Sequence, residues 1–167
     1  AASGEAAAAP RRWTRPGRAT PQAASQLDRA AWLLSRHTDR WAELPNAQHE
    51  MLCEQPPPHG PFFAALERLL QDHGPVTIDT VLADLAADPD AAGCAALLDS
   101  IRHAHALNPD PPAADLAAVL GQIEWAELKD QLEQLMQSGE LSASDFGHIR
   151  VIYARQLELK QLASMTE

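Results

Sequence analysis

Ser138-Gly139-Glu140-Leu141-Ser142 is the stretch that decides the fold. Gly139 falls where a helix must end in a left-handed residue, a conformation that costs glycine nothing. Ser142 can cap a following helix with its hydroxyl. Asp145, three residues on, can reach back to the backbone N–H of Ser142, so Ser142-x-x-Asp145 reads as a capping box. Leu141 and Phe146 occupy the positions of a hydrophobic staple around that cap. A stop signal followed at once by a start signal predicts a helical hairpin, with one helix over residues 112–138 and a second over 143–164.

The first of these helices carries Leu116, Val119, Leu120, Ile123, Trp125, Leu128, Leu132, Leu135 and Met136 at helical spacing. Its first half is expected to pack on the rest of the chain and its second half on the last helix. That last helix holds Phe146, Ile149, Ile152, Tyr153, Leu157, Leu159 and Leu162, which cover more than one stripe. A two-helix hairpin buries only one side of each helix internally. The surplus points to a second packing partner. The expected docking face is Ile149, Ile152, Tyr153, Gln156, Leu159 and Lys160. Gly121 marks a place where the long helix can bend, since glycine lowers helix propensity by about 1 kcal/mol relative to alanine.

Upstream, the texture changes to short segments rich in breakers. Ser25 reads as an N-cap with Asp28 three residues later, ahead of a stripe of Leu27, Ala30, Ala31 and Leu34. A short helix over 39–43 presents Trp41 and Leu44 and is stopped by Pro45. Another over 47–54 carries Met51 and Leu52. Pro61 fits the first position of a fourth helix bearing Phe62, Phe63, Leu66, Leu69 and Leu70, closed by Gly74-Pro75. Thr77 caps a fifth with Ile78, Val81, Leu82 and Leu85 inward. A sixth, over 91–107, brings Cys94, Leu97, Leu98 and Ile101, and Asn108-Pro109-Asp110-Pro111-Pro112 stops the chain as a stiff joint. No stretch alternates long enough for a strand, and Val76-Thr77-Ile78 is too short. The expected fold is all-α. Residues 1–24 form a disordered basic linker, 25–110 a six-helix globular bundle, and 111–167 the long C-terminal hairpin.

Composition narrows the function. The chain has 167 residues and a net charge of −10. Among residues 1–22, four positive charges (Arg11, Arg12, Arg15, Arg18) stand against Glu5 alone, a net of +3, which leaves −13 for the remainder. Duplex binding draws mainly on cationic side chains that neutralise phosphate, so the acidic body is not expected to bind nucleic acid directly. No apolar run is long enough for a membrane span, and no signal peptide is visible. The chain does not begin with Met and reads as a piece of a longer protein. Two cysteines, Cys53 and Cys94, make no disulfide framework and fit reduced thiols in a cytosolic protein.

The search for chemistry finds little. His103 and His105 are two apart and fall on different helix faces. His49 and Cys53 are four apart, but His59 lies beyond three prolines and no fourth metal ligand is evident. Asp88-Pro89-Asp90 sits in a turn, with Asp90 read as an N-cap rather than as half of a magnesium site. There is no phosphate-cradling glycine loop, nucleophile elbow or His-Glu-x-x-His. Catalysis, a metal and a cofactor are not expected in this stretch of chain.

The order of features has a likeness. Arg-Arg-x-x-Arg-Pro in the linker leads to Leu-Asp-Arg-Ala-Ala-Trp-Leu-Leu-Ser-Arg-His (27–37), then to Pro-His-Gly-Pro-Phe-Phe-Ala-Ala-Leu-Glu (58–67), and last to Gln156-Leu157-Glu158-Leu159-Lys160 on the Leu-Ser-capped terminal helix. This resembles the C-terminal helicase-interaction domain of bacterial DNA primase, the DnaG family, over residues 25–164. The resemblance implies a non-catalytic domain in a parent nucleotidyltransferase, with the zinc ribbon and the polymerase core upstream. It implies a helical bundle that modulates the replicative DNA helicase and a hairpin that docks on the N-terminal domain of that hexamer. Recruitment of primase to the fork, in the bacterial cytoplasm, goes with it. Some members also bind the acidic tail of single-stranded DNA-binding protein through basic residues on the early helices; here that region offers Arg29 and Arg36, with Asp28 beside them. The alternative is an unrelated helical interaction module, for example a helicase N-terminal domain.

Overall fold

The structure, a computed structural model, describes residues 21–106 and 116–165. The expected linker up to residue 20 and the proline-rich stop at 108–112 lie outside the described residues, as does the expected start of the hairpin at residue 112. Among the described residues every regular element is helical and none is a strand. Val76 and Thr77 lie between two helices, which Ile78 continues.

Helix α1 spans Pro21–Arg36. It begins four residues before the cap expected at Ser25, so Ser25 is interior to the helix. Proline explains the shift: its fixed φ is preorganised for a first helical position and its missing N–H is lost there without penalty. The expected stripe of Leu27, Ala30, Ala31 and Leu34 is buried, and so are Trp32, Leu33 and Ser35. A helix buried nearly all round needs neighbours on several sides. They are α3, α4, α5 and α6. The buried Ser35 hydroxyl donates to the carbonyl of Ala31 at 2.7 Å, so no hydrogen bond is forfeited inside the core.

A 3-10 turn at Thr38–Glu43 buries Trp41, and α2 follows at Asn46–Cys53. Helix α3 spans His59–His73 and starts two residues earlier than Pro61. The Pro58 carbonyl accepts from the Phe62 N–H at 3.2 Å. His59 is buried, and its Nε2 lies 2.6 Å from Asp28 Oδ1, which ties the start of α3 to α1. Gly60 has no room for a side chain: a Cβ there would stand 1.9 Å from the carbonyl oxygen of Gln55.

Gly74 ends α3 with φ 71. Thr77 then caps α4, Ile78–Ala87, by accepting from the Thr80 N–H at 3.4 Å. The loop between the two helices is pinned by Thr38, whose hydroxyl donates to the Val76 carbonyl at 2.6 Å and accepts from the Val76 N–H at 3.0 Å. The next cap is Asp88 rather than Asp90: its carboxylate accepts from the Asp90 N–H at 2.9 Å and opens a 3-10 turn at Pro89–Ala91. Proline directly after a cap is the favoured order. Helix α5 spans Ala92–Ala106.

Helix α6, Leu116–Gln137, and helix α7, Ala143–Met165, pack on each other, and α6 also packs on α1. One contiguous apolar core runs from Leu27 on α1 to Ile123 on α6, with Leu116, Val119 and Leu120 as α6's other contributions. Past Ile123 the core stops, and Leu135 and Ile152 are buried outside it. Helix α6 is unbroken through Gly121. A Cβ there would rest 3.9 Å from Leu159 Cδ2, an ordinary contact with α7.

Candidate interaction surface

The turn between α6 and α7 closes as its residues dictate. Gly139 takes φ 77, and the Ser138 hydroxyl donates to the Leu135 carbonyl at 2.7 Å, covering one of the open acceptors at the helix end. The capping box forms in both directions. Asp145 N–H donates to Ser142 Oγ at 3.2 Å, while Ser142 N–H and Oγ donate to Asp145 Oδ2 at 2.8 and 2.7 Å. These bonds to Ser142 hold the Asp145 carboxyl below its ordinary range. Leu141 and Phe146, expected as a staple, both stay exposed.

Two apolar stripes wind along α7. Ile149, Ile152, Gln156 and Leu159 form the inner one: Ile152 is 4% and Gln156 9% exposed, and the other two are half-buried. The outer side shows Phe146, Val151, Tyr153, Leu157, Leu162 and Met165. This corrects the expected docking face. Of its six residues, Ile152 and Gln156 are covered, Ile149 and Leu159 are half covered, and only Tyr153 and Lys160 stand open. The reason is geometric: both stripes are apolar at helical spacing, and α6 covers one of them.

On α6, Trp125 and Met136, expected inward, are exposed as well. Leu141 in the turn completes the set. All nine exposed large apolar side chains among the described residues therefore fall between Trp125 and Met165. Sequence reading pointed to the surplus, but its six-residue face takes in two residues that are buried and leaves out the exposed Phe146, Leu157 and Leu162.

A charged clasp holds the two helices in register. Arg155 Nε and Nη2 donate to the two carboxylate oxygens of Glu124 at 2.5 and 3.1 Å, and Nη1 donates to Glu158 at 2.9 Å. The Glu124 and Glu158 bonds push the Arg155 pKa further up. A forked guanidinium–carboxylate pair fixes orientation as well as distance. Beside it, Met51, Pro45 and Leu128 line a cleft of about 220 Å³ with Glu124 and Arg155. That is smaller than the roughly 300–1,000 Å³ of small-molecule pockets.

His49, Cys53, His103 and His105 are engaged elsewhere. His49 Nε2 donates to the Trp41 carbonyl at 2.8 Å, and its ring stacks on Trp41 with centroids 4.7 Å apart. Cys53 Sγ lies 3.8 Å from Glu67 Oε2; burial, with Glu67 beside it, pushes the thiol up to about 11. Such a sulfur stays protonated near neutral pH and is a poor nucleophile or metal ligand. His103 Nδ1 donates to the Asp99 carbonyl at 2.8 Å, whereas His105 stacks on Trp32 at 5.1 Å, so the two imidazoles do face different ways. No group of three or more His, Cys, Asp or Glu that could hold a metal ion occurs among the described residues. No helix of the described residues is long and apolar enough to cross a membrane.

The early basic residues do not form one open patch. Arg36 lies 5.5 Å over the Trp32 ring, Arg29 is half-buried, and Asp28 is held by His59. No family model matches the chain, and neither does any curated protein or solved structure.

Proposed function

We propose that this chain is a non-catalytic protein-interaction domain, the helicase-docking C-terminal part of a bacterial DNA primase of the DnaG type. In this reading residues 25–110 act as a helical bundle subdomain and 111–167 as a hairpin that docks on the N-terminal domain of the hexameric replicative helicase. The domain recruits primase to the fork in the bacterial cytoplasm. It carries no cofactor of its own, and the acidic tail of single-stranded DNA-binding protein is a second candidate partner through Arg29 and Arg36.

The observation that carries the docking role is the crowding of exposed large apolar side chains onto the hairpin, with none among the described residues of the rest. Water disfavours such a surface, and a partner that covers it gains roughly 25 cal/mol for each Å² of apolar area removed. A specific interface takes about 800 Å² from each side, within reach of one exposed helix and its turn. The choice of helicase as partner rests on the sequence resemblance.

Calorimetry with the cognate helicase N-terminal domain tests the reading. The full chain is expected to bind, and a chain ending at Ser138 is expected to lose binding. Equal binding by both would remove the hairpin from the interface.

A further inference from the structure

We infer that the exposed face of α7 around Tyr153 recognises an amphipathic helix whose apolar stripe is bordered by carboxylates. This inference rests on the hairpin being a docking surface and adds the chemistry of what it takes. At about 100° per residue, Phe146, Tyr153 and Leu157 fall along one line of the helix, and Arg150 and Lys160 flank that line on opposite sides, all within about 80° of the circumference. All five side chains are exposed.

The charges on this face differ from those elsewhere on α7. Asp145 is committed to the cap, and Arg155 to both Glu124 and Glu158. Arg150 and Lys160 make no ion pair or hydrogen bond among the described residues. An apolar strip with two uncommitted cations at its rim thus sits on a chain of net charge −10. The complementary surface is an apolar stripe with carboxylates at its edges.

A second copy of this chain fits poorly. Two chains of net charge −10 repel each other.

Two synthetic helical peptides with the same leucine stripe, one rimmed by Glu and one by Lys, test the inference by fluorescence anisotropy at low salt. The full chain is expected to prefer the Glu-rimmed peptide by about tenfold, as two rim pairs allow. Arg150→Glu with Lys160→Glu is expected to reverse the preference, and Arg150→Gln with Lys160→Gln to abolish it, with far-ultraviolet dichroism unchanged in both. Equal binding of the two peptides, binding of neither, or an unchanged preference in the Glu variant would overturn the inference. So would a dimer of the chain alone that Tyr153→Asp dissociates, because the second copy would then be the occupant. Rim preference without binding to the helicase domain would sustain the inference and remove the proposed partner. A helicase domain that binds wild type and the Glu variant equally would do the reverse.

Discussion

Phe63 on α3 and Tyr153 on α7 are both aromatic residues inside regular helices, yet the first is 0% exposed and the second 54%. Around Phe63 the chain supplies Trp41 and Phe62, with ring centroids 6.3 and 5.3 Å away. Tyr153 stands beside the stripe that α6 covers, and no aromatic partner stands over its ring among the described residues. The core around α1 takes apolar residues from seven successive segments, ending at Ile123, whereas α7 leans on one helix through a single stripe. The first is stabilised by its own interior. The second holds its inner stripe and its clasp, and leaves the rest of its apolar area exposed.

Substitution should separate the regions most sharply at those two aromatics. Phe63→Ala is expected to cost about 3–5 kcal/mol in chemical denaturation, the range for emptying an aromatic site in a packed core. Tyr153→Ala is expected to stay within about 0.5 kcal/mol of wild type, as an exposed side chain should, while weakening partner binding. Comparable losses of stability at both sites would erase the distinction.

Smaller effects probe how the hairpin is held. Ser142→Ala removes the cap at the start of α7 and should cost about 1 kcal/mol of hairpin stability. The loss is expected as earlier fraying of residues 143–150 in amide exchange, with protection of α3 unchanged. Arg155→Ala opens the clasp; because the arginine is partly exposed, the expected loss is about 1 kcal/mol or less. Its clearer sign would be faster exchange at the α6–α7 crossing. If α3 and α5 loosened equally, the clasp would belong to the whole fold rather than to the hairpin.

Acid gives the mildest test. Asp145 has a lowered pKa in the folded chain, so its contribution is full above the ordinary aspartate value and is lost as pH falls through the folded one. Below about pH 4 the cap of α7 should weaken first. Helix-resolved NMR shifts would show changes at residues 142–146 before any in α1, and Asp145→Asn should remove that pH dependence.

Much of this architecture was legible because its signals are local. Gly139, Ser142 and Asp145 lie within seven residues, and their bonds are those the pattern requires. Thr77 and Gly74 are equally local. Where reading went astray, two local signals competed. Pro21 and Ser25 can each open a helix, as Asp88 and Asp90 can each cap one, and in both places the arrangement with proline at or near the first helical position is the one that forms.

The candidate site was harder to read because it depends on which stripe of α7 is taken. Spacing alone cannot choose between Ile152 with Gln156 and Tyr153 with Leu157. The choice is tied to contacts distant in sequence, such as Arg155 on Glu124 and Leu159 over Gly121, and no short pattern encodes them. The same is true of Gly60, whose need for a bare Cα appears only beside the carbonyl of Gln55.

Amide exchange by mass spectrometry, on the full chain with and without the cognate helicase N-terminal domain, separates the scaffold from the docking surface in a single experiment. New protection confined to residues 125–165, greatest across Phe146 to Leu157, is the expected result. Protection that appeared instead on α1 to α5, with α7 exchanging as in the free chain, would contradict the assignment of the hairpin as the surface this protein presents to its partner.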